Sequence, residues 1–123
     1  MRHVLRPFMI LLIAAAFCGA AEKQVHHLVM FTWKEGTTPE QAAAIEKALT
    51  GLKAKVPGIV SLSYGKQNST EDAAKKHAFQ YGLSVIFTNA AARDVYVTHA
   101  DHLAAVKVLL PYLDDVAVLD YDL

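Results

Sequence analysis

The chain has one cysteine, Cys18, and it stands at the end of an apolar leader, not in the body of the sequence. Everything after it must therefore fold without a disulfide framework. No CxxC and no HExxH occurs, which removes the commonest local signatures of zinc. Neither sign of charge dominates, with Lys plus Arg at 12 and Asp plus Glu at 12, and no long basic run is present. Nothing points to a nucleic-acid partner. The long apolar run FMILLIAAAF is too short to stay in a bilayer as a permanent span. What remains is a chain of 54% hydrophobic and 20% charged residues, which describes one globular domain and not a disordered segment.

The leader reads as a secretory signal. MRHVLRPF supplies Arg2 and Arg6, the apolar run follows, and Cys18-Gly-Ala-Ala21 supplies small residues for cleavage. Residues 1–21 are assigned to this signal and 22–123 to the domain. Export to a periplasmic or extracellular space is the expectation, with lipidation at Cys18 the lesser alternative because bulky Phe17 precedes it. Without Arg2 and Arg6, ten basic residues face twelve acidic ones, a slightly acidic mature chain. About a hundred residues give one marginal core, which a dimer would reinforce.

VHHLVMFTW (25–33) alternates, with His27, Val29, Phe31 and Trp33 on one face and Leu28, Met30 and Thr32 on the other. Both faces are largely apolar, so the strand is expected to be covered twice. Thr38, Pro39 and Gln41 form a capping-box start for a helix through QAAAIEKALTGLKAKV, with Ile45, Leu49 and Leu52 on its inner side. Pro57-Gly58 ends it. GIVSLSYGK is a strand placing Val60, Leu62 and Tyr64 on one face. QNSTEDAAKK reads as an exposed loop. AFQYGLSVIFT (78–88) is the next strand, and Asn89 caps a second helix that Asp101 interrupts and Pro111 stops. DVAVLDYDL closes the chain as a strand.

The order β-α-β-β-α-β predicts a ferredoxin-like α+β fold, a four-stranded antiparallel sheet with two helices on one face. First and last strands are then neighbours. The second sheet face, with Leu28 and Met30, is left to a homodimer partner.

On the helix-covered side, His27 of the first strand and Asp120 of the last fall on adjacent strands. DVYVTHADHL brings Tyr96, His99 and His102 at three-residue steps along one helix side. A carboxylate beside an imidazole fixes its tautomer or stabilises its charged form, and a tyrosine can donate to a developing oxyanion. His102, Tyr96 and Asp120 are the candidate catalytic residues for proton abstraction beside a carbonyl; His27, His99 and Phe31 are candidate ligand contacts. Each has a plainer reading: a satisfied core histidine, a core tyrosine, a helix-surface histidine, an exposed aspartate. His99 and His102 also have metal-ligand spacing, with Asp101 or His27 to complete a set, but no metal and no cofactor is expected. His26 points away from His27, and His77 lies at a loop end.

HHLVMFTWKEGTTPEQ, VPGIVSLSYGKQNS, FQYGLSVIFTNAAARDVYVTHADHLAAV and VLDYDL together resemble the stress-responsive dimeric α/β-barrel (Dabb) family, from about Val25 to Leu123. The family includes the plant polyketide cyclase that makes olivetolic acid by an aldol-type closure. The resemblance implies a ferredoxin-like homodimer. It implies His102 as general base, Tyr96 as the group that polarises a substrate carbonyl, and Asp120 and His27 as support of the pocket. THAD stands where the family often has His-Pro, a departure that bears most on His99. The expected function is an acid–base cyclase or lyase acting on a small carbonyl compound. A non-catalytic dimer that binds a small apolar or aromatic ligand, or protects under stress, is the alternative. A haem-dependent or cofactor-free monooxygenase, an activity of other dimeric α/β-barrel families for which Trp33 could be invoked, ranks third.

Overall fold

The computed structural model describes residues 22–123; the signal segment expected at 1–21 lies outside them. Strands β1 (Val25–Trp33), β2 (Ile59–Lys66), β3 (Tyr81–Phe87) and β4 (Leu113–Asp122) form one sheet in the order β2-β3-β1-β4. Every neighbouring pair is antiparallel. Helices α1 (Pro39–Thr50), α2 (Leu52–Lys55), α3 (Asp72–Lys76), α4 (Ala90–Thr98) and α5 (Ala100–Leu109) complete the domain, with a short 3-10 turn at Leu110–Tyr112. This is the ferredoxin-like order that the sequence predicts. Among the described residues no helix is long and apolar enough to cross a membrane.

The core lies between the sheet and the helices. Val29, Phe31 and Trp33 of β1 and Leu83, Val85 and Phe87 of β3 meet Ile45 and Leu49 of α1, Leu52, Tyr96 and Leu109. Ile45, Val85 and Phe87 are completely covered. Burying each of these side chains contributes about 1.5–3 kcal/mol, so this layer holds the helices in place. Helix α1 begins as expected, with a reciprocal Thr38–Gln41 capping box and Pro39 in the first turn.

Four local expectations are corrected. The helix that begins at Pro39 does not run unbroken but divides at Gly51 into α1 and α2. Val60 leaves the inner face of β2: a bulge between Ile59 and Ser61 gives Ile59 the place opposite Phe87 and exposes Val60. The polar stretch after β2 is not all loop, because Asp72–Lys76 coils into α3. The second long helix breaks at His99 and not at Asp101, and His99 itself caps α5.

Gly58 fixes how α4 approaches the sheet. It adopts φ +85°, and a Cβ there would stand 2.7 Å from that of Ala92. Only a residue without a side chain permits both. Its carbonyl also accepts from the Thr88 amide at 3.0 Å, which ties the start of β2 to the turn into α4.

Candidate functional site

Helix α5 packs on α1 and α2, and this leaves the inner face of β4 without a helix over it. Val116 and Val118 point to the helix side but remain 42% and 59% exposed. The gap is a cavity of about 420 Å³ bounded by β1, β4, α4 and α5. Most of its wall is aliphatic or aromatic, including Val29, Leu83, Leu109 and Val118. Its polar groups are few: His27, Asp120, Tyr96 and His102.

Strand register brings the first pair together. His27 lies directly opposite Asp120, as Val29 lies opposite Val118 and Phe31 opposite Val116. His27 Nδ1 and Asp120 Oδ1 are 2.6 Å apart. A carboxylate oxygen accepts, so Nδ1 carries the proton and Nε2 is the ring nitrogen left for other work. Arg93 of α4 donates from its guanidinium to the other Asp120 oxygen, also at 2.6 Å, and to Asp94 at 2.7 Å. Burial alone would raise the Asp120 carboxyl, but the hydrogen bonds and charges of His27 and Arg93 outweigh it and hold the group below the usual carboxylate range. The neighbouring carboxylates Asp94 and Asp120 in turn raise Arg93. Sequence reasoning missed Arg93. The signal was its place one helical turn before Tyr96, on the same side of α4.

Tyr96 is 1% exposed. Its ring meets Phe87 at 5.0 Å and His27 at 5.7 Å between centroids. Burial pushes its phenol up to about 12, so the hydroxyl is a proton donor at any ordinary pH. His102 lies against it, with ring centroids 4.1 Å apart at 33°. His102 Nδ1 donates to the Val97 carbonyl at 3.1 Å. Burial, with smaller contributions from His27 and His99, lowers the His102 imidazole despite that hydrogen bond. A neutral ring with a free Nε2 is what a general base requires.

Of the six candidate residues, His27, Phe31, Tyr96, His102 and Asp120 all line this cavity. Phe31 forms part of the apolar wall and stacks on Trp33 at 5.0 Å. His99 is not among the lining residues: its Nδ1 accepts from the Asp101 amide and caps α5. Asp120 serves His27 and Arg93 and has no hydrogen bond to His102. Among the described residues no three His, Cys, Asp or Glu side chains are grouped to hold a metal ion. On the opposite sheet face His26 bonds Tyr121 and Ser84, each at 2.7 Å, and so points away from His27 as the alternation requires.

The match to known proteins covers the same span. Residues 25–123 match the stress responsive A/B barrel domain family. The chain belongs to this family. Another A/B barrel protein, the stress-response A/B barrel domain-containing protein HS1 of Arabidopsis thaliana, is 25% identical over 101 residues, covering 82% of this chain and 91% of that one. A crystal structure of an Arabidopsis thaliana protein superposes with a TM-score of 0.72 at 25% identity, over 79% of this chain and 92% of that one. A hydroxynitrile lyase from Passiflora edulis gives 0.72 at 18% identity, over 82% and 94% of the two chains. A dimeric ferredoxin-like protein from Thermobifida fusca gives 0.71 at 22% identity, over 83% and 92%. These last two share the fold of this chain.

Proposed function

We propose that the cavity is the active site of a small acid–base enzyme, a cyclase or lyase acting on a carbonyl compound with an apolar body. The observation that carries this reading is the contact of Tyr96 with His102, 4.1 Å between ring centroids, on the wall of an otherwise apolar cavity. His102 Nε2 removes a proton from the carbon beside the substrate carbonyl. The Tyr96 hydroxyl donates to the carbonyl oxygen as it gains charge. In the closing direction the enolate carbon attacks a second carbonyl, whose oxygen takes the proton from His102; in the lyase direction His102 takes the proton of the substrate hydroxyl, the carbon–carbon bond breaks as the carbonyl forms, and the proton passes to the departing carbon. His27, held by Asp120, presents an unprotonated Nε2 to the same end of the cavity and accepts from a substrate hydroxyl. These steps are proton transfers between His102 and the substrate around one carbon–carbon bond, with no change of oxidation state. A lyase among the proteins of this fold is in keeping with the reading.

The test is exchange of the α-protons of small aryl and alkyl ketones and aldehydes into deuterated water. Exchange that the protein accelerates and that His102→Ala abolishes supports the enzyme. Tight binding without exchange favours the second reading, a non-catalytic ligand-binding or stress-protective protein, which the apolar wall would equally serve.

Two further assignments belong with this proposal. The chain pairs with a second copy through the open sheet face, where Met30, Leu119 and Tyr121 are exposed; dimeric relatives of the same fold support this. The mature chain is exported by the signal segment, which recovery of a processed form from the periplasm or medium would test.

A further inference from the structure

Helices α4 and α5 would be one helix but for His99. Its backbone is extended, with φ −65° and ψ 138°. The β-branched pair Val97 and Thr98 just before it weakens the helix locally. In an unbroken helix the amide of Asp101 would donate to the carbonyl of Val97, four residues earlier. Here the His99 side chain takes that amide, with Asp101 N–H donating to His99 Nδ1 at 3.1 Å. The Val97 carbonyl is thereby released from the helix ladder. It accepts instead from His102 Nδ1, at 3.1 Å.

A carbonyl oxygen only accepts, so this contact requires the proton of His102 to sit on Nδ1. The second ring nitrogen, Nε2, then holds the lone pair. We propose that His99 is a positioning residue: by capping α5 it frees the Val97 carbonyl, and that carbonyl holds His102 in the tautomer whose Nε2 is the base. The inference rests on the reading of His102 as general base. It gives the helix break a chemical purpose and gives His99 a role without contact to the ligand. A histidine serves as the cap here because its unprotonated ring nitrogen accepts the amide as the oxygen of the commoner Ser, Asp or Asn caps would.

The experiment is two-bond proton–nitrogen NMR of the histidine rings in the folded protein, without substrate. Wild-type His102 is expected as the Nδ1–H tautomer. His99→Ala is expected to give a mixture of tautomers, and His99→Asn, which restores an accepting cap, to recover the wild-type pattern. The rate of α-proton exchange should follow the competent fraction, falling about two- to fivefold in His99→Ala with little change in KM. A wild-type His102 protonated on Nε2 overturns the proposal, as does a tautomer indifferent to His99→Ala in a variant with unchanged circular dichroism. If the alanine variant does not fold, His99→Thr, a weaker cap, takes its place under the same criterion. The tautomer is read with no substrate present, so a protein that catalyses nothing would still show it. Failure of the enzyme reading and failure of the His99 role are therefore separate results.

Discussion

Arg93 and Asp120 meet at 2.6 Å across the gap between α4 and β4, although 27 residues separate them in sequence. With His27 on the other oxygen, the Asp120 carboxylate has both oxygens committed. It is thus a support for its neighbours and not a base in its own right.

Replacing Asp120 by Ala should lower stability by roughly 1–3 kcal/mol, because two partners lose their acceptor in a half-buried setting. The pH dependence has a definite sign. The folded carboxyl titrates below its unfolded value, so its contribution is complete above that unfolded value, about 3.9, and is lost as pH falls through the lower folded one. Urea midpoints of wild type and Asp120→Asn should differ by a constant amount near neutrality and converge below about pH 4. A difference that stays constant into acid would show that the ionised Asp120 carboxylate is not its source.

His102 should titrate below the ordinary imidazole value of about 6.5, because burial and the nearby His27 and His99 disfavour its charged form. The unfolded chain then takes up this proton first, so stability falls as pH drops below that value. The acid limb of kcat/KM should lie in the same lowered range, and His102→Ala should reduce kcat by roughly 10²–10⁴. NMR titration of the ring, compared with the rate profile, checks both; a titration at or above the ordinary value counts against His102 as the base.

Tyr96→Phe should reduce kcat by about 10²-fold or more while leaving the melting temperature nearly unchanged, since the buried ring is kept and one oxyanion donor is lost. With the phenol at about 12, no alkaline limb from Tyr96 should appear in the rate profile below about pH 11. A full-rate phenylalanine variant would remove tyrosine from the chemistry.

On the proposed pairing, wild type should be a dimer and a charge on the open sheet face should prevent its assembly. Met30→Glu and Leu119→Glu both place a carboxylate where an apolar partner surface is expected. Light scattering should report a monomer mass for either variant with circular dichroism intact. Persistence of the dimer would locate the interface elsewhere.

How far the sequence carried these conclusions depended on the range of the forces involved. His27 and Asp120 could be paired beforehand, because strand alternation and the β-α-β-β-α-β order fix register without any side-chain detail. Tyr96 and His102 followed from helical spacing, and they stay together even though the helix between them is interrupted. His99 was misplaced for the same reason: its spacing fits, but a hydrogen bond to one amide turned it into the break. Helical spacing puts Arg93 on the side of Tyr96, but that its long side chain ends on Asp120 is a contact across the fold that spacing alone does not give. Val60 was lost to a single extra residue in β2, a change that alternation cannot register because it breaks the alternation itself.

β4 is hydrogen-bonded to the sheet along one edge only, and its Val116 and Val118 side chains wall the cavity without entering the core. Exchange of either residue would change the shape of the cavity while the packing of Ile45, Val85 and Phe87 stays untouched. The polar end of the cavity, by contrast, is anchored to the middle of the sheet through His27 and to the core through Tyr96. On the proposed function, the choice of ligand would therefore be open to change at the rim of this fold at small risk to folding, while a change at the polar end would be felt throughout.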